Sequence, residues 1–194
     1  MPEIVLVRHG ETEWSRDGKH TGRTDVPLTD VGRAQAERLR GLLAGRRFAS
    51  VLTSPLSRAA DTCAIAGFGA HAERVDGLME WDYGDYEGRT TADIRAERPG
   101  WSLWTDGCPA GETPADVGRR ADAVIDRLRQ GDGDVLVFGH AHMLRVLAVR
   151  WIDLAPDAGG RFALDTARLS VLGHERETAV VRQWNCAGAP VDAS

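Results

Sequence analysis

The sequence predicts an α/β fold, with a mainly parallel sheet flanked by helices on both faces. Two apolar runs, Ile4-Val5-Leu6-Val7 and Val135-Leu136-Val137-Phe138, carry no polar alternation, as expected of strands buried on both faces. Strand-like runs alternate with helix-period segments along the chain, the order that builds βα units. Several helices also announce their starts with capping residues.

The first strand, 4–7, runs into a loop over 10–27 rich in Gly, Thr and charge. Thr29 then serves as the N-cap of an amphipathic helix through Ala34, Ala36, Leu39, Leu42 and Leu43 that stops near Gly45. Residues 49–53 form the second strand. Ser54-Pro55 follows as a cap with proline at the first helical position, opening a helix to about Ala66. A short strand covers 72–75, and 78–109 is a mixed segment with a short helix at 91–97. Glu112-Thr113-Pro114 opens a helix to about Arg129. The strand at 135–138 is the most hydrophobic and is expected to be central. A helix through Leu144, Val146, Leu147, Val149 and Trp151 follows it. Strands at 169–172 and 180–184 close the sheet, and the small, polar tail 188–194 is expected to fray.

At 194 residues, with no internal repeat or linker, the chain is expected to form one domain over 1–194. Its 42% hydrophobic and 27% charged residues are those of a globular protein, and a formal charge of -5 argues against nucleic acid as a partner. No stretch has the apolar length of a membrane span, and nothing at the N-terminus resembles a signal peptide. Cys63, Cys108 and Cys186 are odd in number and widely spaced, which fits neither a disulfide framework nor a CxxC metal site. The cytoplasm is the expected compartment. Lys19 is the only lysine, which codon bias explains without a functional role.

Three strand ends carry the chemistry. Arg8-His9-Gly10 follows the first strand, Ser54-Pro55-Leu56-Ser57-Arg58 the second, and Gly139-His140-Ala141-His142 the strand at 135–138. Ligands of open α/β sheets bind outside the carboxyl ends of strands, so these side chains are placed to share one crevice. Arginine supplies a fixed cation and several donors suited to phosphate, and a helix start offers N–H groups and a positive dipole end. A neutral imidazole is a competent nucleophile toward phosphorus. Arg8, Arg58 and His140 are therefore assigned to the charge of a transferring phosphoryl group, with His9 as nucleophile. The neighbouring cations also disfavour protonation of His9. Glu80, in Leu78-Met79-Glu80-Trp81, is assigned as proton donor to the leaving oxygen. Its apolar neighbours point to partial desolvation, the setting in which a carboxyl keeps a proton to give.

These residues resemble the histidine phosphatase superfamily, the phosphoglycerate mutase-like fold. The resemblance covers Leu6-Val7-Arg8-His9-Gly10-Glu11-Thr12, Leu28-Thr29 with Gly32 and Ala36, Thr53-Ser54-Pro55 with Arg58, Ala60 and Thr62, Glu80 with Gly84, and Gly139-His140. It implies a phosphohistidine on His9, phosphoryl binding by Arg8, Arg58 and His140, and Glu80 as acid, with no metal or organic cofactor. The implied partner is a small phosphorylated metabolite, most directly a sugar phosphate. Oligomeric state stays open, a homodimer through a sheet edge being the form the family offers.

Within the family, a cofactor-dependent phosphoglycerate mutase is the alternative. Mutases continue the first motif to an Asn and place an Arg after the catalytic Glu, where this chain has Glu13-Trp14-Ser15 and Trp81. The long mutase insertion between Glu80 and Glu112 is also missing. Segments 80–88 and 101–112 are instead similar to a branch of broad-specificity acid phosphatases and sedoheptulose-bisphosphatase-like enzymes. Ser15 and the Thr21-Gly22 loop suit that branch, whereas Tyr83 matches a substrate-contacting Tyr of the mutases; with Ala141 and His142 these residues are expected to contact substrate. Ala141 replaces the usual Gly. The His140-x-His142 pair lacks a third ligand for zinc, so His142 is read as lining the pocket. Cys108 reads as structural, and Trp14, Trp81, Trp101 and Trp104 as packing and pocket wall. A silent protein-binding scaffold is the reading from another class, and the complete set of five catalytic candidates speaks against it.

Overall fold

The computed structural model describes residues 2–188, so the expected fraying of the tail lies outside the described residues beyond Gly188. In chain order, β1 (Ile4–Arg8) leads through a single helical turn, α1 (Glu13–Arg16), to α2 (Asp30–Leu42) and β2 (Ser50–Thr53). Next come α3 (Ser57–Ile65), β3 (Ala72–Arg74), α4 (Thr91–Glu97), the short α5 (Leu103–Asp106) and α6 (Pro114–Arg129). The chain then enters β4 (Val135–Gly139) and α7 (Ala141–Trp151), and finishes with the hairpin β5 (Leu169–Glu175) and β6 (Thr178–Cys186).

The 6-stranded sheet has the order β3-β2-β4-β1-β5-β6. From β3 to β1 all neighbours pair in parallel, whereas β5 is antiparallel to β1 and β6 to β5. β4 sits between β2 and β1, every residue of it buried, which is the central place its composition predicts. Alternate residues supply two cores. Val5, Val7, Leu136 and Phe138 pack with Leu39, Leu43 and Cys63 on the side of α2 and α3. Ile4, Leu6, Val135 and Val137 pack with Val124, Ile125, Val146 and Leu147 on the side of α6 and α7. Burying each such aliphatic side chain contributes about 1.5–3 kcal/mol, which commits β1 and β4 to the sheet interior.

Two helical turns go beyond the sequence expectation. α1 lies inside the expected loop, held by a capping box in which Thr12 and Ser15 exchange side-chain and backbone hydrogen bonds at 3.1 and 2.9 Å. α5 is capped by Ser102 inside the mixed segment. The start of α3 also moves. Ser54-Pro55 does not cap it; the helix begins at Ser57, and Asp25 accepts from both the Ser57 N–H (2.8 Å) and hydroxyl (2.9 Å). Ser54 is fully buried and bonded to His140 instead. The final hairpin is longer at both strands than expected, because β5 and β6 continue pairing as far as Glu175 and Thr178.

The turn after β1 is fixed by a close approach to α2. A Cβ on Gly10 would sit 2.4 Å from the carbonyl oxygen of Gly32, and one on Gly32 2.1 Å from that of Glu11. Only glycine at both positions lets the chain pass here. Thr29 caps α2 by accepting from Gly32 N–H at 3.0 Å, and its own N–H donates to Glu11 at 3.0 Å.

Candidate active site

β2, β4 and β1 are neighbours, so their carboxyl ends open on one place. The ladder continues past them: His9 N–H donates to Gly139 O and Ser54 N–H to Phe138 O, each at 3.0 Å. This brings the His9 and His140 rings to 5.2 Å between centroids. Nδ1 of His9 lies 2.7 Å from Gly10 O. A carbonyl only accepts, so Nδ1 carries the proton and Nε2 keeps its lone pair. Burial, then the Arg58 and Arg8 charges, hold the ring well below the ordinary histidine range. Arg8 donates one terminal N–H to Leu164 O at 2.5 Å. Its Nε is buried without a partner, and the side chain lines the cleft together with His9.

Glu80 is 4% exposed, the burial its neighbours predict. Its Oε1 accepts from the Trp81 and Met143 N–H groups at 2.9 Å each, and Oε2 from His142 N–H at 3.1 Å. Two of these amides belong to the first turn of α7, so the helix start stands in for the water this carboxylate has lost. A second arginine, unforeseen in the sequence, shapes the segment. Arg120 forks onto both oxygens of Glu112 (3.0 and 2.8 Å) and donates to the carbonyls of Gly77, Met79 and Glu80.

Arg58 and His140 are fully buried and stand behind the cleft rather than in its wall. Arg58 donates to the carbonyls of Thr24, Thr21 and Gly22 at 2.9–3.0 Å and to His140 Nδ1 at 3.1 Å. The loop it grips is held from the other side by Glu87, whose Oε1 accepts from Gly22 and Thr24 N–H at 2.7 and 3.1 Å. Gly22 therefore stays behind the wall and acts through its backbone.

The cleft itself has a volume of about 260 Å³. Arg8, His9 and Glu80 line it at the chemical end, with Ser15, Thr21, Tyr83, Ala141 and His142 around them. The Ser15 hydroxyl is engaged by Thr12, donating to its carbonyl at 2.9 Å. Ala141 begins α7 in helical backbone, a conformation open to any residue, so the replacement of glycine costs no strain. The Tyr83 hydroxyl meets His142 Nδ1 at 2.6 Å. Burial pushes the Tyr83 phenol well above and the His142 imidazole well below their ordinary values, which makes the tyrosine the donor. His140 and His142 thus point to different partners, and among the described residues no group of three His, Cys, Asp or Glu side chains converges.

His20 and Arg145 also line the cleft and were missed in the sequence. Arg145 carried a signal, since it sits four residues after Ala141 on the same helix face. His20 carried none. It is buried against Tyr83 (4.7 Å) and Trp101 (5.7 Å) by a loop whose path is set by distant contacts, and burial pushes it down to about 4.

The family model "Histidine phosphatase superfamily (branch 1)" matches residues 4–187. An acid phosphatase of Mycobacterium tuberculosis is 45% identical over 187 residues, covering 92% of this chain and 91% of its own. A sedoheptulose 1,7-bisphosphatase of Saccharomyces cerevisiae is 37% identical over 186 residues, covering 79% and 68%. The solved structure of a Mycobacterium tuberculosis open reading frame product superposes with a TM-score of 0.91 at 41% identity, covering 95% of this chain and 97% of that one.

Proposed function

Because this chain belongs to the histidine phosphatase superfamily, we propose that it hydrolyses phosphate monoesters of small metabolites, sugar phosphates foremost, through a phosphohistidine on His9. The observation that carries this reading is the His9 ring, whose Nδ1–H is spent on Gly10 O and whose Nε2 lone pair is left beside Arg8. Nε2 attacks phosphorus, forming the N–P bond as the ester P–O bond breaks. Glu80 gives its proton to the departing alkoxide, from Oε2, the oxygen that accepts only one amide. Water then attacks the phosphohistidine, Glu80 takes a proton from it, and inorganic phosphate leaves with His9 restored.

Arg8, which lines the cleft with His9, contacts the phosphoryl group, while Arg58 and His140 act from behind, lending positive potential and holding the proton off His9. Ser15, Thr21, Gly22, Tyr83, Ala141 and His142 shape the substrate end, with neutral imidazole and hydroxyl groups suited to sugar hydroxyls. The named activities of the relatives support this, one being an acid phosphatase and one a sugar-bisphosphate phosphatase. The position after Glu80 supports hydrolysis over the mutase alternative. Trp81 is buried there, its indole N–H donated to Glu112 O at 2.9 Å, so it offers no cation to a substrate carboxylate.

The three cysteines are unpaired and no described helix is long and apolar enough to cross a membrane, which supports a cytoplasmic enzyme. Residues 1–194 act as one histidine phosphatase domain, and the open edge of β6 supports a homodimer.

The test is phosphate release from a panel of sugar phosphates, phosphoglycerates and p-nitrophenyl phosphate. His9→Ala is expected to remove activity by about three orders of magnitude or more. Glu80→Gln is expected to slow sugar phosphates, with their poor leaving groups, far more than p-nitrophenyl phosphate. Activity surviving His9→Ala overturns the nucleophile, and equal losses on both substrate types overturn the acid.

A further inference from the structure

Residues 79–83 carry Glu80 through neither helix nor strand, so no ladder of their own holds them. What fixes them is Arg120, projected from α6. Its Nε and one terminal nitrogen fork onto Glu112 Oε1 and Oε2 at 3.0 and 2.8 Å. The remaining N–H groups go to the carbonyls of Gly77 (2.9 Å), Met79 (2.5 Å) and Glu80 (3.3 Å). Five donors thus meet five oxygens, which occupies the guanidinium completely.

The counter-ion holds the same segment. Glu112 Oε2 also accepts from Asp82 N–H at 2.8 Å, and the Glu112 N–H donates to Asp82 O at 2.9 Å. Its carbonyl takes the Trp81 indole N–H at 2.9 Å. Glu80, Trp81 and Asp82 are therefore tied, one after another, to a single half-buried ion pair. The pair also reaches the other half of the cradle around the acid. Met143, whose N–H donates to Glu80 Oε1 at 2.9 Å, places its Sδ 3.3 Å from Arg120 Nη1. Neither Arg120 nor Glu112 lines the cleft, so both act from outside it.

We propose that Arg120, with Glu112 as its counter-ion, is the positioning residue of the proton donor, setting Glu80 Oε2 at the distance and angle from which it protonates the leaving oxygen. The proposal rests on the phosphatase reading of the same site. A general acid has to lie within about 2.6–3.2 Å of the atom it protonates. A displacement of about 1 Å costs a rate factor of about 10², and a loop free to shift would allow one. Only a planar fork can do this holding. Lysine offers its donors from one point and cannot span Glu112 and three carbonyls at once.

The experiment reads dependence on the leaving group. A sugar phosphate needs a proton on its departing oxygen, whereas p-nitrophenolate leaves without one. The readout is kcat/KM for the best sugar phosphate of the panel divided by that for p-nitrophenyl phosphate. Within one preparation this ratio does not depend on how much protein is folded. Arg120→Met is expected to lower it about 10- to 100-fold, with Arg120→Lys between. Glu112→Gln, which keeps the shape of the pair, is expected to lower it less. In a Glu80→Gln background the acid is already gone, so Arg120→Met should leave the ratio where it is. A ratio that Arg120→Met does not move, or moves equally with and without the acid, overturns the proposal and marks the pair as structural. A ratio that Glu80→Gln itself does not move overturns the acid assignment instead.

Discussion

Arg58 donates its Nε–H to Nδ1 of His140 at 3.1 Å, and the other ring nitrogen meets Ser54 Oγ at 2.8 Å. Since Nδ1 accepts, Nε2 bears the proton and donates to the serine. Helix α3 and the ends of β2 and β4 are thereby tied together through side chains with no exposure at all. The link also places a fixed positive charge behind His9, because the arginine that orients His140 is the same one that lowers the nucleophile's proton affinity.

Ser54→Ala removes the acceptor of that buried N–H. An unsatisfied buried donor costs about 1–3 kcal/mol, so the urea midpoint should fall accordingly. A midpoint that does not move would show that His140 has another partner available.

The acid side of the activity profile follows from His9. Attack requires the neutral ring, and the folded protein holds its pKa well below the ordinary 6.5, first by burial and then by Arg58 and Arg8. Activity should therefore persist as pH falls through 6.5. Arg58→Gln removes one of the two charges and should move the titration of His9 upward, toward that value. Histidine-ring NMR titrations of the two proteins check this directly, and a wild-type His9 titrating near 6.5 would contradict it.

Stability has its own pH dependence through His20. Its folded value is about 4 against an ordinary 6.5, so between these pH values the unfolded chain binds a proton that the folded one refuses. Stability is fully present above 6.5 and is lost as pH falls toward 4, by about 3 kcal/mol for this residue. Other buried histidines shift in the same direction, so the comparison is between wild type and His20→Gln. Urea midpoints at pH 7 and pH 4.5 should fall less in the variant, and parallel falls would refute the assignment.

Much of this architecture was legible because it depends on local pattern. Short unbroken apolar runs rich in β-branched residues fit strands covered on both faces, which gave β1 and β4. Thr29, and Thr113 with Pro114, satisfy helix-start amides whatever surrounds them, so α2 and α6 began where expected. Ser54 misled for the same reason: a serine before proline looks like a cap in isolation, but a distant histidine was the stronger partner.

By itself, then, the sequence determined the order of strands and longer helices, though not the single turns α1 and α5, together with the family and the side chains at three strand ends, since each is written in contiguous residues. Only the tertiary structure decided how those side chains divide. Arg8, His9 and Glu80 face the cleft, while Arg58 and His140 lie buried behind it. Tertiary structure alone also brought His20 to the same cleft. The physical reason is that a long polar side chain settles where its donors and acceptors find partners. Here those partners, from Gly22 and Thr24 to Ser54 and Gly159, lie far away in sequence and meet only when the sheet and its loops have closed.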